Sequence, residues 1–195
     1  MALKVIGVDI GTSLGWSVVE DGALLASGQV ELKRNAWEGF GVRPMRARAL
    51  VLELLGAHPG AVVAVELVRR HAATQAAQVY GAILGGVTCA VEEAGDARYL
   101  FVDVSEAKLA ATGYGAEKKT GMVAAACQAF KLDKVGEDQA DAIWVAVAAW
   151  RRESGSLLGA LTGATPSTPA SQGGKVARRA RKAGPSSGEQ AGVEG

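Results

Sequence analysis

Three short aliphatic runs, residues 4–10, 15–20 and 23–32, follow one another at the start of the chain with almost nothing between them. Links this short cannot cross over a sheet, so the runs are expected to form an antiparallel meander. The second link is Asp21-Gly22, a pair suited to a two-residue hairpin turn with positive φ at both positions. The pattern then changes. Residues 37–57 carry helical apolar spacing, with Pro44 marking the true start, because proline is tolerated in a first turn. A short apolar strand is expected at 61–66, a helix at 73–94 despite Gly85-Gly86, and a strand at 99–104. Ser105 opens a short helix, and 117–130 and 138–152 read as two more. The expected order is βββαβαβααα, an α/β fold whose five-stranded mixed sheet (a meander, then parallel strands) is flanked by helices.

The 195 residues allow one domain of useful core size plus an appendage, but not two lobes each with its own core. Composition changes near residue 153, which divides a domain at 1–153 from a tail at 154–195. Five of the 21 Lys+Arg and two of the 20 Asp+Glu fall in the tail, so the body is slightly acidic and the tail basic. The tail is rich in Gly and Ser, holds Pro166, Pro169 and Pro185, and lacks aromatics. Such a segment is expected to be disordered, because it cannot bury enough apolar surface to offset its ordering entropy. Its cluster of Lys175, Arg178, Arg179, Arg181 and Lys182 reads as a solvated tail or as a non-specific phosphate-binding arm. The net charge of +1 excludes a purely electrostatic nucleic-acid coat. No apolar run is long enough for a membrane span, and Asp9 interrupts any signal-like stretch, so a cytoplasmic protein is expected. Cys89 and Cys127, with no second ligand at metal spacing, read as reduced and buried.

Two of the strands end in acids. Asp9 closes an apolar strand and precedes Gly11-Thr12-Ser13; Glu66 closes 61–65 in the same way. A charge at the end of a buried strand is costly unless paired or metal-bound. Asp9 also reads as a turn cap, and Glu66 as a side chain emerging into solvent. If the two strands pair in parallel, their carboxyl ends share one sheet edge, where ligands bind. Asp138 and Asp141, three apart, lie on one face at the start of the last helix, a position that tolerates acids in any case. Glu137 points elsewhere and is a weaker candidate. Together the four acids form an oxygen-only set suited to Mg²⁺ or Mn²⁺. Two such ions can clamp a phosphodiester, one activating water and the other stabilising the leaving oxygen.

In these residues the chain resembles RuvC-type Holliday junction resolvases of the RNase H-like superfamily, particularly bacteriophage-borne ones. The matching stretches are Ile6-Gly7-Val8-Asp9-Ile10-Gly11-Thr12-Ser13-Leu14-Gly15-Trp16-Ser17, Ala64-Val65-Glu66 and Asp138-Gln139-Ala140-Asp141-Ala142. The loop Thr112-Gly113-Tyr114-Gly115-Ala116-Glu117, leading into Lys118-Lys119, is also similar. The resemblance spans about 3–150. It implies a homodimer that binds a four-way DNA junction and nicks two opposed strands, leaving 5′-phosphates and 3′-hydroxyls. It further implies Asp9, Glu66, Asp138 and Asp141 as ligands for two Mg²⁺ ions (Mn²⁺ substituting), Asp9 bridging them, with no small-molecule cofactor. Lys118 or Lys119 would reach the scissile phosphate or its neighbours, with Lys108 a weaker candidate; as residues alone these lysines also read as an ordinary solvated helix face.

The chain departs from that pattern after Glu66. Where relatives carry an aromatic residue that stacks at the junction centre, this chain has Leu67-Val68-Arg69-Arg70-His71. Arg69 and Arg70 read as phosphate contacts or base-stacking cations, or as a surface basic pair. His71 reads as a cap or exposed residue and Trp144 as core. Gly81, Gly85 and Gly86 read either as a dimer seam or as close packing on the sheet. Other functions fit parts of the same text: an RNase H-like nuclease acting on RNA, a one-lobe actin- or sugar-kinase-like ATP-binding protein reading Asp9–Ser13 as a phosphate loop, and a non-catalytic junction-binding scaffold.

Overall fold

The computed structural model describes residues 2–162, with side chains to Gly155. The elements are β1 (Lys4–Asp9), β2 (Ser13–Glu20), β3 (Ala23–Glu31), α1 (Val42–Ala57), β4 (Val62–Leu67), α2 (Thr74–Ala94), β5 (Arg98–Asp103), α3 (Val104–Thr112), α4 (Lys119–Phe130) and α5 (Glu137–Thr162). Their order is the expected one. They build a five-stranded sheet in the order β3-β2-β1-β4-β5, antiparallel across β3, β2 and β1 and parallel across β1, β4 and β5. The turn between β2 and β3 has positive φ at both Asp21 (48°) and Gly22 (84°), as the Asp-Gly pair requires.

Strand alternation divides the core in two. Ile6, Val8, Val63 and Val65 face α1 and α2, where Val51, Leu55, Ile83 and Val87 meet them. Val5, Val62 and Ala64 face the other way, onto α5. That helix is apolar nearly all round, from Ala140 to Ala149, because it lies between the sheet and α3 and α4. Trp144 is core, as expected, and its indole N–H donates to the Met122 carbonyl at 3.0 Å.

Four expectations need adjustment. The first helix begins at Val42 rather than 37, and Pro44 lies in its first turn. Local side-chain bonds hold the preceding residues out of the helix: Trp37 N–H donates to Asn35 Oδ1, and Asn35 N–H donates to Glu38 Oε2. Trp37 is consequently 96% exposed. Cys89 is exposed on α2 rather than buried, since the buried stripe of that helix runs through Gly86, Val87, Ala90 and Val91, and Cys127 on α4 is only half-buried. Gly86 packs tightly, but against α1: a Cβ there would stand 2.4 Å from the Pro44 carbonyl oxygen. At the other end, α5 continues past 153 to Thr162. The basic cluster with Lys175, Arg178 and Arg179 lies outside the described residues. Among the described residues no helix is long and apolar enough to cross a membrane.

Candidate active site

The register of the parallel pair brings the strand-end acids together. Val8 of β1 is level with Val65 of β4, so Asp9 and Glu66 follow side by side. Alternation then fixes their face. Asp9 follows Val5 and Gly7, and Glu66 follows Val62 and Ala64, all on the α5 side of the sheet.

Two glycines on that face bring α5 close. A Cβ on Gly7 would stand 2.2 Å from the Ala142 carbonyl oxygen, and one on Gly15 would stand 1.8 Å from that of Asp138. Any side chain at either position would push the helix away. Two hydrogen bonds hold the approach. The buried Ser17 hydroxyl donates to the Ala142 carbonyl at 2.9 Å, and Gln139 Nε2 donates to Ser27 Oγ at 2.9 Å. The first turn of α5 is thereby pinned over the ends of β1 and β2, with Asp138 and Asp141 beside Asp9.

All four acids line one cavity of about 300 Å³, with Lys108, Lys119, Ile10, Gly11, Val104 and Met122. Asp9 lies at its base, 9% exposed. Burial pushes the Asp9 carboxyl well above the usual range, and the charges of Glu66, Asp141 and Asp138 and a hydrogen bond with Glu66 push it further. Glu66 is also raised, chiefly by burial and by Asp141, although the hydrogen bond with Asp9 and the charges of Lys119 and Lys108 pull against this. Asp141 is raised by burial, with Lys119 opposing. Burial lowers the Lys119 ammonium, but Asp141, Glu137 and Asp138 outweigh it, so the net shift is upward. Lys119 Nζ lies 3.4 Å from Glu137 Oε2 and 3.8 Å from Asp141 Oδ2.

Among the described residues, no three His, Cys, Asp or Glu side chains converge closely enough to hold an ion as they stand. The donor set nevertheless fits a hard divalent cation. It is oxygen-only, faces a shared cavity, and crowds like charges to the point of favouring protonation. A cation among them would relieve that crowding.

Of the expected cations, Lys119 and the weaker candidate Lys108 line the cavity. Lys118 lies at the N-cap of α4 and is not among the lining side chains. Arg69 and Arg70 line a neighbouring hollow of about 520 Å³, which shares Val104 with the acid cavity. Arg69 grips Asp103 with two bonds, Nε to Oδ1 at 2.9 Å and Nη2 to Oδ2 at 3.2 Å. His71 packs on Tyr80, ring centroids 4.9 Å apart.

Tyr80 is a supporting residue that no sequence pattern singles out. Its hydroxyl donates to the Glu66 carbonyl at 2.8 Å and accepts from Val68 N–H at 3.4 Å, fixing the backbone that bears Glu66. A lone tyrosine inside a helix gives no signal of this. Gly7 does carry one, since it shares the period-two face of Asp9.

No protein-family model and no curated protein matches the sequence. Solved structures do. RuvC from Thermus thermophilus matches with a TM-score of 0.65 and 28% identity, over 78% of this chain and 97% of that one. T. thermophilus RuvC in complex with a Holliday junction substrate matches with a TM-score of 0.66 and 26% identity, over 79% and 97%. The yeast mitochondrial Holliday junction resolvase Ydc2 matches at 14% identity with a TM-score of 0.54, over 82% and 84%, a likeness of fold alone. The resemblance carried by the motifs therefore holds in three dimensions: the chain has the RNase H-like fold in its RuvC-type form.

Proposed function

We propose that this RuvC-type chain is a divalent-metal-dependent endonuclease that resolves four-way DNA junctions, a homodimer nicking two opposed strands. The observation that carries this reading is the convergence of Asp9, Glu66, Asp138 and Asp141, with Lys108 and Lys119, on one cavity at the sheet edge. Junction DNA as substrate is supported by the likeness to a RuvC solved on a Holliday junction.

The four carboxylates would hold Mg²⁺, with Mn²⁺ as a substitute, and Asp9 is the one buried acid among them. Bound there, Mg²⁺ supplies Lewis-acid activation of water and neutralises charge on the leaving 3′-oxygen. The remaining work falls to the chain. Burial of Asp9 holds its carboxylate in one place at the base of the cavity, facing the other three acids. Tyr80 holds Glu66 in place. Glu137 and Asp141 keep the Lys119 ammonium at the rim, where it meets the phosphate as a point charge. Arg69 and Arg70 take the DNA strands beside the cavity, in the stretch after Glu66 where the family resemblance implies an aromatic residue. Gly81 and Gly85 leave an open strip on α2, where an added Cβ meets nothing within 4 Å, and a second copy packs there. The nuclease unit is the fold through α5, and the basic cluster at Lys175, Arg178 and Arg179 is an auxiliary DNA contact.

The test is incubation of the purified chain with a labelled synthetic four-way junction, a linear duplex and an RNA–DNA hybrid, with Mg²⁺ or with EDTA. Paired nicks in the junction alone, dependent on Mg²⁺, are the expected result. Preferential cutting of the hybrid would replace this reading with an RNA-directed nuclease.

A further inference from the structure

A second cavity, of about 510 Å³, opens on the opposite side of the Ile10-Gly11 turn from the acids. The two cavities share Ile10 and Gly11 as a common wall. Its floor is apolar, made by Ile10, Val79 and Ile83, and it lies between the first turn of α1, the N-terminal half of α2 and the β1–β2 turn. Three features make it unlike a packing defect. Arg43 lines it, and the Nε of that side chain is buried with no hydrogen-bond partner, an arrangement costly to leave unmade. The packed rings of His71 and Tyr80 form one wall. Gln75 and Thr12 add polar groups around the apolar floor. A flat body with polar edges fits such a lining, and the volume is that of a small-molecule site.

We propose that this cavity receives an unstacked nucleobase from the cut strand, next to the scissile phosphate. The inference rests on the junction-cutting reading of the neighbouring site. A strand with its phosphate at Asp9 passes the Ile10-Gly11 wall, so the adjoining nucleotide reaches the second cavity. Once a junction is opened, with its arms no longer stacked end to end, the bases at its exchange point lack a stacking neighbour, which lowers the cost of unstacking them. The ring pair offers a stacking face, and the Arg43 side chain lining the cavity brings a cationic donor group to a base acceptor. Tyr80 then serves both sites, since the same hydroxyl fixes Glu66. A linear duplex keeps its bases stacked and gains nothing from the cavity, so it confers selectivity for branched DNA.

The test is a cycle between protein and DNA. Single-turnover cutting of a junction is measured with the full chain, with abasic sites placed one at a time on either side of the scissile phosphate. The same series is run with Ala76→Phe, which fills the cavity, and with Arg43→Gln, which leaves its volume nearly unchanged. One abasic position should slow the wild type about tenfold, and each variant should slow the intact junction by a similar factor. Combining the variant with that abasic site should add almost nothing. Multiplying penalties, or no sensitive position, would overturn the cavity assignment while leaving the junction-cutting reading intact. A wild-type protein that cuts no junction at all would remove that reading, and the base pocket with it. If Ala76→Phe melts well below the wild type, the Arg43→Gln arm decides alone.

Discussion

Gly15 of β2 lies directly beneath Asp138 of α5: a Cβ on the glycine would stand 1.8 Å from the aspartate's carbonyl oxygen. The helix that delivers two of the four acids is therefore positioned by the absence of a side chain on the sheet. Gly15→Ala should lift the first turn of α5 away from Asp9. Overpacking of this kind costs about 1–3 kcal/mol, and a misplacement of about 1 Å in a catalytic constellation costs on the order of 100-fold in rate. Thermal denaturation and single-turnover cutting check both. Unchanged cutting in Gly15→Ala would mean that the proximity of α5 is not required.

Asp9→Asn should abolish cutting while junction binding persists, and it should also raise the melting temperature of the metal-free protein. The wild-type carboxylate is buried among Glu66, Asp141 and Asp138, which favours its neutral form; asparagine is neutral from the start. A less stable Asp9→Asn protein at neutral pH would contradict the crowding of charge.

The pH dependence follows from the same shifts. The carboxyls of Asp9, Glu66 and Asp141 are raised in the folded chain, each first by burial. A raised acid contributes stability that is fully present below its unfolded value and is lost as pH rises through its folded value. Metal-free protein should therefore lose stability from these groups on going from mildly acidic to neutral pH. Mg²⁺ should restore it at neutral pH, because binding to the folded state alone stabilises that state. Melting curves with EDTA and with Mg²⁺ across that window give the comparison. A Mg²⁺ effect of equal size in Asp9→Asn would place the ion elsewhere.

The two adjacent lysines should behave differently. Lys119 lines the acid cavity and faces Glu137 and Asp141, whereas Lys118 lies at the N-cap of α4. Lys119→Met should slow cutting by about 10- to 100-fold, and Lys118→Met by no more than about twofold, the scale of an exposed charge. Rates at saturating protein separate the effect from binding. The reverse order would restore Lys118 as the phosphate contact.

Much of this arrangement is legible in the order of residues alone. The meander follows from links too short to cross a sheet, and the pairing of Asp9 with Glu66 follows from two apolar runs that each end in an acid. The start of α1 is not legible, because Asn35 and Glu38 compete for backbone groups in a stretch whose apolar spacing still looks helical. Lys118 and Lys119 are indistinguishable in composition, and only the placement of α4 separates them. The role of Tyr80 depends on a contact with Glu66, fourteen positions away, which no local pattern encodes. The exposure of Cys89 depends on which side of α2 meets α1, a tertiary choice that a helix of mostly small residues leaves open.

Counting bound Mn²⁺ by electron paramagnetic resonance, in the wild type and in Asp9→Asn at equal chain concentration, tests most directly whether the four carboxylates act as one ion-holding site. The wild type is expected to bind about two ions per chain at neutral pH, released on acidification, and Asp9→Asn to lose them. Equal Mn²⁺ occupancy in the two proteins, or none in the wild type, would contradict the shared site.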